Sequence, residues 1–155
     1  MKDFFATIYE FSSSIYGEAL ATHLYGWNGI DYNDGALYSS VGIYMLISSS
    51  VFPILFYYII NSPSLSRWYH WLFFLLINFA ICWGFGFYLP YIDYTAGMIA
   101  EDIIESISKN DIVMFGFVNA IWSAIFFTII SFILRGLALI IPGIGHNTRY
   151  TPIPR

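Results

Sequence analysis

The sequence predicts an all-helical integral membrane protein. It has three transmembrane helices, an N-terminal amphipathic helix, and a short acidic amphipathic helix before the third span. Three observations carry this reading. Only 10% of the 155 residues are charged while 58% are hydrophobic, whereas a soluble domain carries about 25% charged residues. Mean hydropathy is +0.66. No Asp, Glu, Lys or Arg falls between Asp34 and Arg67, between Arg67 and Asp93, or between Asp111 and Arg135. Each stretch exceeds the roughly 20 apolar residues that a helix needs to cross a hydrocarbon core. The alternating strands of a membrane β-barrel are missing from the pattern.

The elements follow in order along one domain, 1–155. Met1, Lys2 and Asp3 do not form the basic start of a signal peptide. Residues 3–25 have the pattern of an amphipathic helix, with Phe4, Ile8, Phe11, Ile15 and Ala19 on one face and Asp3, Glu10, Ser14 and Glu18 on the other. Such a helix suits the membrane interface or packing against a neighbouring subunit. Turn formers between Gly26 and Gly35 mark a loop. The first span is expected over 38–60, kinked where Pro53 frees the carbonyl of Ser49. Ser62, Pro63 and Ser64 form a hairpin turn. The second span is expected over 68–90, opening on the interfacial Trp68, Tyr69, His70 and Trp71 and ending at Pro90.

Residues 96–109 read as the acidic helix, with Ile99, Ile103, Ile104 and Ile107 opposite Glu101, Asp102 and Glu105. Asp111 is placed to cap the third span, 112–134. The chain breaks at Pro142 and Gly143, and the tail 146–155 is expected to be extended. In this topology Arg67, Arg135, Arg149 and Arg155 share one side, and Lys2 and Lys109 share the other. The basic-residue rule then places the C-terminus on the cytoplasmic or matrix side of a bacterial or organellar inner membrane.

Candidates for chemistry are few. Cys82 is the single cysteine, so no disulfide can form within the chain. His23, His70 and His146 lack metal-ligand spacing, and no phosphate-binding, dinucleotide or nucleophile motif occurs. No catalytic residue, metal or cofactor is expected, and the chain is not expected to be an enzyme. A net charge of −4 disfavours nucleic acid as a partner. Membrane lipids, further copies of the chain, or other membrane subunits are the expected partners.

Helix packing is where the sequence says most. Gly116, Ala120 and Ala124 recur every fourth residue on the third span, with Asn119 and Ser123 beside them. Asn78, Cys82 and Gly86 form a similar row on the second. Small residues let helices approach closely in lipid, and an asparagine there needs a partner or water. The two asparagines therefore either join helices within a subunit or line a hydrated path between subunits. Glu101, Asp102 and Glu105 would form an acidic mouth on the non-cytoplasmic side. The first expectation is a small homo-oligomeric channel or pore of effector type with cation preference. The alternative is a non-catalytic accessory or anchoring subunit of a larger membrane complex.

Overall fold

The structure is a computed structural model that describes residues 2–32, 36–59 and 68–140. The expectations for the hairpin turn at 62–64, for Pro142 and Gly143, for His146 and for the tail 146–155 lie outside the described residues. The described chain is all-helical. In order it holds α1 (Lys2–Glu10), α2 (Ser13–Tyr16), α3 (Glu18–Tyr25), α4 (Leu37–Ile54), a π-helical turn (Leu55–Ile59), α5 (Trp68–Ala96), α6 (Glu101–Ile104) and α7 (Lys109–Ile140). Three stretches are long and apolar enough to cross a membrane: Leu37–Tyr57, Tyr69–Ala96 and Lys109–Gly136. They form a bundle in which α5 and α7 pair most extensively and α4 packs on both.

The spans differ from expectation at their ends, for local reasons. Helix α5 runs through Pro90 and stops six residues later. Proline removes one donor from a helix, and neighbouring helices make that tolerable in a span. The real stop is Gly97, whose φ of 68° places it in the left-handed region that ends helices. Met98 N–H donates to the Asp93 carbonyl at 2.9 Å, the closing bond of a Schellman motif. At the start of α7, Ser108 is the cap instead of Asp111. The Ser108 hydroxyl accepts from Asn110 N–H at 3.2 Å, and Asp111 reaches back to Ser108 N–H at 2.8 Å, which makes a capping box. The acidic helix expected over 96–109 shrinks to the single turn α6. Its flanking Ile99 and Ile107 are buried.

The N-terminal segment departs further. The single amphipathic helix expected over 3–25 is three short helices, broken after Glu10 and again at Gly17, where φ is 89°. Its expected apolar face is also not the core face. Phe4, Phe11 and Ile15 are exposed, whereas Phe5, Tyr9, Tyr16, Leu20 and Leu24 are buried. Within α1 the core face is the one that carries Phe5 and Tyr9, and the breaks after Glu10 and at Gly17 let Tyr16, Leu20 and Leu24 turn inward separately. The buried residues press into the bundle between α4 and α7. Tyr9 stacks on Tyr38 with ring centroids 5.3 Å apart, and Phe115 meets Tyr9 and Tyr16 edge-on at 5.3 and 5.1 Å. Gly42 leaves room for the Phe5 ring, which a Cβ there would overlap.

A polar tie holds the far end of this segment. His23 Nε2 lies 3.2 Å from Asp93 Oδ2, linking α3 to the end of α5, and His23 is buried. Burial pushes the imidazole below the ordinary histidine range, an effect that Asp93 only partly offsets.

Two outcomes are expected. Gly42→Ala should lower the stability of the detergent-solubilised protein by about 1–3 kcal/mol through overpacking. Gly84→Ala, where an added Cβ meets nothing within 4 Å, should be neutral or favourable by up to about 1 kcal/mol. Equal losses would mean that α1 does not lock on Gly42. For His23, a lowered folded-state pKa means that the unfolded chain binds the proton more readily, so stability rises with pH. Its contribution should be complete above a pH of about 6.5 and decline as the pH falls below it. Unfolding followed against pH should show this decline flattened in His23→Gln. An unchanged profile would remove His23 from the account.

Candidate functional site

The residues singled out on the second and third spans meet one another. At the α5–α7 crossing, Gly86 faces Gly116 with almost nothing between the backbones. A Cβ on Gly86 would come within 2.9 Å of Asn119 Cβ and 3.0 Å of Gly116 Cα. A Cβ on Gly116 would come within 3.0 Å of the Trp83 carbonyl oxygen. This close approach puts Asn119 against the α5 backbone, where its Nδ2 donates to the Cys82 carbonyl at 2.6 Å. Its Oδ1 accepts from the Tyr9 hydroxyl at 2.7 Å. A single amide thereby joins α1, α5 and α7.

One turn further along the bundle a second amide does the same for α4. Asn78 Oδ1 accepts from the Ser48 hydroxyl at 2.7 Å, and Asn78 Nδ2 donates to Ser49 Oγ at 3.3 Å. Ser49 passes its own proton to the Ser123 carbonyl at 3.1 Å. The Ser123 hydroxyl turns back onto the Ala120 carbonyl at 2.7 Å. Cys82 lies between the two amides, with Sγ 3.8 Å from Asn78 Oδ1. Asn78, Cys82, Asn119, Ala120 and Ser123 are all buried within the protomer. Farther along, Trp71 Nε1 donates to the Ser131 hydroxyl at 3.1 Å and joins α5 to α7 again.

Two sequence-predicted residue groups lie elsewhere. Ala124 is only half-buried and borders an apolar groove of about 410 Å³ with Phe79, Ile121, Ile125, Thr128 and Ile129. Glu101, Asp102 and Glu105 are exposed at the end of the bundle where α6 meets the 26–32 loop. There Asp102 Oδ2 accepts from Trp27 Nε1 at 3.0 Å. The acidic turn and the buried seam are thus separate features. Among the described residues, no group of three His, Cys, Asp or Glu side chains could hold a metal ion.

Sequence reasoning missed the tyrosines that complete the seam. Tyr16 has one proton, given to the Tyr9 carbonyl at 2.9 Å, so the Tyr38 hydroxyl is the donor in the 2.7 Å contact between Tyr16 and Tyr38. Burial pushes the Tyr16 hydroxyl up to about 12 and raises Tyr9 as well. Both act as neutral hydrogen-bonding groups. The available signal was the polar tip of Tyr9 and of Tyr16, aromatics that find a hydrogen-bond partner when buried. Compared with known proteins, the chain matches no family model, no curated protein and no solved structure.

The arrangement makes a quantitative demand on the Tyr9–Asn119 pair. A double-mutant cycle of Tyr9→Phe and Asn119→Ala should return a coupling energy of about 0.5–1.5 kcal/mol in detergent unfolding. Ala120→Leu, which puts bulk into a fully buried position, should cost about 1–3 kcal/mol. Ile121→Leu on the exposed side should change little. Zero coupling, or equal behaviour of the two leucine variants, would contradict a packed seam.

Proposed function

We propose that the chain is a non-catalytic, membrane-embedded subunit that anchors or supports a larger membrane assembly. The observation that carries this reading is the closed seam. Asn78, Asn119, Ser49 and Ser123, the polar side chains at the centre of the bundle, are buried and hydrogen-bonded inside one protomer. A channel needs such groups turned toward a shared axis, and here they serve the protomer's own packing. The outward sides of the spans are apolar, with Ile47, Phe73, Ile121 and Ile133 among the exposed residues, so contacts outside the protomer rest on shape and aromatic surface.

The channel remains as a second reading, because Glu101, Asp102 and Glu105 stand exposed together at one end of the bundle. In both readings the 26–32 and 97–107 segments face the non-cytoplasmic side, and the C-terminus faces the cytoplasm or matrix. That orientation rests on the basic-residue count.

The two readings separate on purification. The chain alone in mild detergent should be monomeric and carry no current in planar bilayers, while gentle extraction should recover it with other membrane proteins. A discrete homo-oligomer that conducts cations, and loses cation preference when Glu101, Asp102 and Glu105 become Gln, Asn and Gln, would replace the subunit reading with the channel.

A further inference from the structure

Helix α1 has three sides rather than two. At about 100° per residue, the buried Phe5, Ala6 and Tyr9 form one sector, directed at α4 and α7. The exposed Asp3, Thr7 and Glu10 form a second. Phe4 forms a third, which Phe11 continues in the turn just after the helix, and they are exposed by 53% and 86%. Ile15 on α2 is exposed by 58%. The face that stands out in the sequence is therefore a second apolar face, separate from the one that docks on the bundle.

We infer that this third sector is a membrane-interface anchor: α1 lies in the boundary between headgroups and acyl chains, beside the spans. The inference rests on the bundle being membrane-embedded. Two features point to lipid as the occupant. First, the neighbouring surface is lipid-like. At the level of Gly42 and Asn119, the outward residues of the spans are Ile43, Tyr44, Phe117 and Ile121, all exposed, so Phe4 and Phe11 stand outward beside an apolar belt. Second, the acidic sector with Asp3 and Glu10 has the chemistry of a water-facing side and would be repelled by anionic lipid. The anchor accordingly suits zwitterionic headgroups.

The bundle side, the lipid side and the water side together orient α1. This explains how a nine-residue helix with two carboxylates in its exposed sector can sit at membrane depth. Its carboxylates point up to water while its phenyl groups point sideways and down.

The test is fluorescence depth quenching in phosphatidylcholine vesicles. In a Cys82→Ser background, single cysteines at Phe11, Thr7 and Ile47 carry an environment-sensitive fluorophore. Quenchers are lipids with a nitroxide near the headgroup or near the bilayer centre, and aqueous iodide. The probe at Phe11 should lose more fluorescence to the shallow nitroxide than to the deep one and be shielded from iodide. The probe at Thr7 should show the reverse exposure, and the probe at Ile47 should be quenched by the deep nitroxide. A probe at Phe11 that iodide quenches freely, or that neither iodide nor lipid reaches because protein covers it, would overturn the anchor while quenching at Ile47 leaves the spans intact. If Ile47 also escapes the lipid nitroxides, the membrane-embedded reading fails and the anchor fails with it.

Discussion

An amide in the middle of an apolar helix needs polar partners that hydrocarbon does not supply. Asn119 finds two of them by sitting where α5 and α7 approach backbone to backbone. Gly86 and Gly116 create the approach, the approach brings the Cys82 carbonyl within 2.6 Å of Nδ2, and Tyr9 donates to Oδ1. Much of the rest depends on that last contact. It requires α1 to reach into the cleft between α4 and α7, which in turn requires Gly42 to make room for Phe5 and Gly17 to turn the chain back toward α3. Buried polar contacts of this kind contribute modestly, about 1 kcal/mol each. Their larger effect is on register, since sliding α7 by one turn would part Asn119 from both the Cys82 carbonyl and the Tyr9 hydroxyl.

The seam divides the labour among interactions. Tyr9, Tyr38 and Phe115 pack ring against ring at the α1 end, while the hydroxyls and amides decide which residues face which. Asn78 does for α4 what Asn119 does for α1, and it lies one turn of α5 before Cys82, whose carbonyl Asn119 holds. Ser49 both accepts from Asn78 and donates to the Ser123 carbonyl, so one hydroxyl is used in each direction. The seam draws its hydrogen bonds from side chains of α1, α4, α5 and α7, and beside it the buried Trp83 Nε1 has no hydrogen-bond partner among the described residues.

Much of this was legible in the sequence, because charge-free stretches and small-residue rows report directly on what a helix in lipid must do. The spans and the Asn78, Gly86, Gly116 and Asn119 positions follow from that constraint. What escaped were features settled by contest between local signals. Pro90 has the form of a helix end, yet the loss of one donor is a weak stop beside the left-handed Gly97. Phe4, Phe11 and Ile15 form the more hydrophobic face of the N-terminal segment, yet Tyr9 and Tyr16 enter the core because their hydroxyls have partners there. A hydropathy ranking places tyrosine below phenylalanine and cannot see those partners. Ala124 shares the spacing of Gly116 and Ala120, but each four-residue step turns the row by about 40°, so by Ala124 it has rotated to border the groove.

The seam draws Asn78, Asn119, Ser49 and Ser123 inward, and the outer surface of the long helices is mainly apolar, with Tyr44 and Tyr88 among its exposed polar-tipped residues. The groove beside Ala124 illustrates this. Its one hydroxyl, Thr128 Oγ1, donates to the Ala124 carbonyl at 2.7 Å, within its own helix, and the remaining lining is isoleucine, phenylalanine and alanine. In lipid, where apolar surface brings no hydrophobic gain on association, such a surface binds by shape alone. At the end of the bundle the polar groups are exposed, and Trp27 Nε1 donates to Asp102 Oδ2 at 3.0 Å. The contrast is physical in origin. A long apolar helix that spends its polar groups on its own fold gains a defined register.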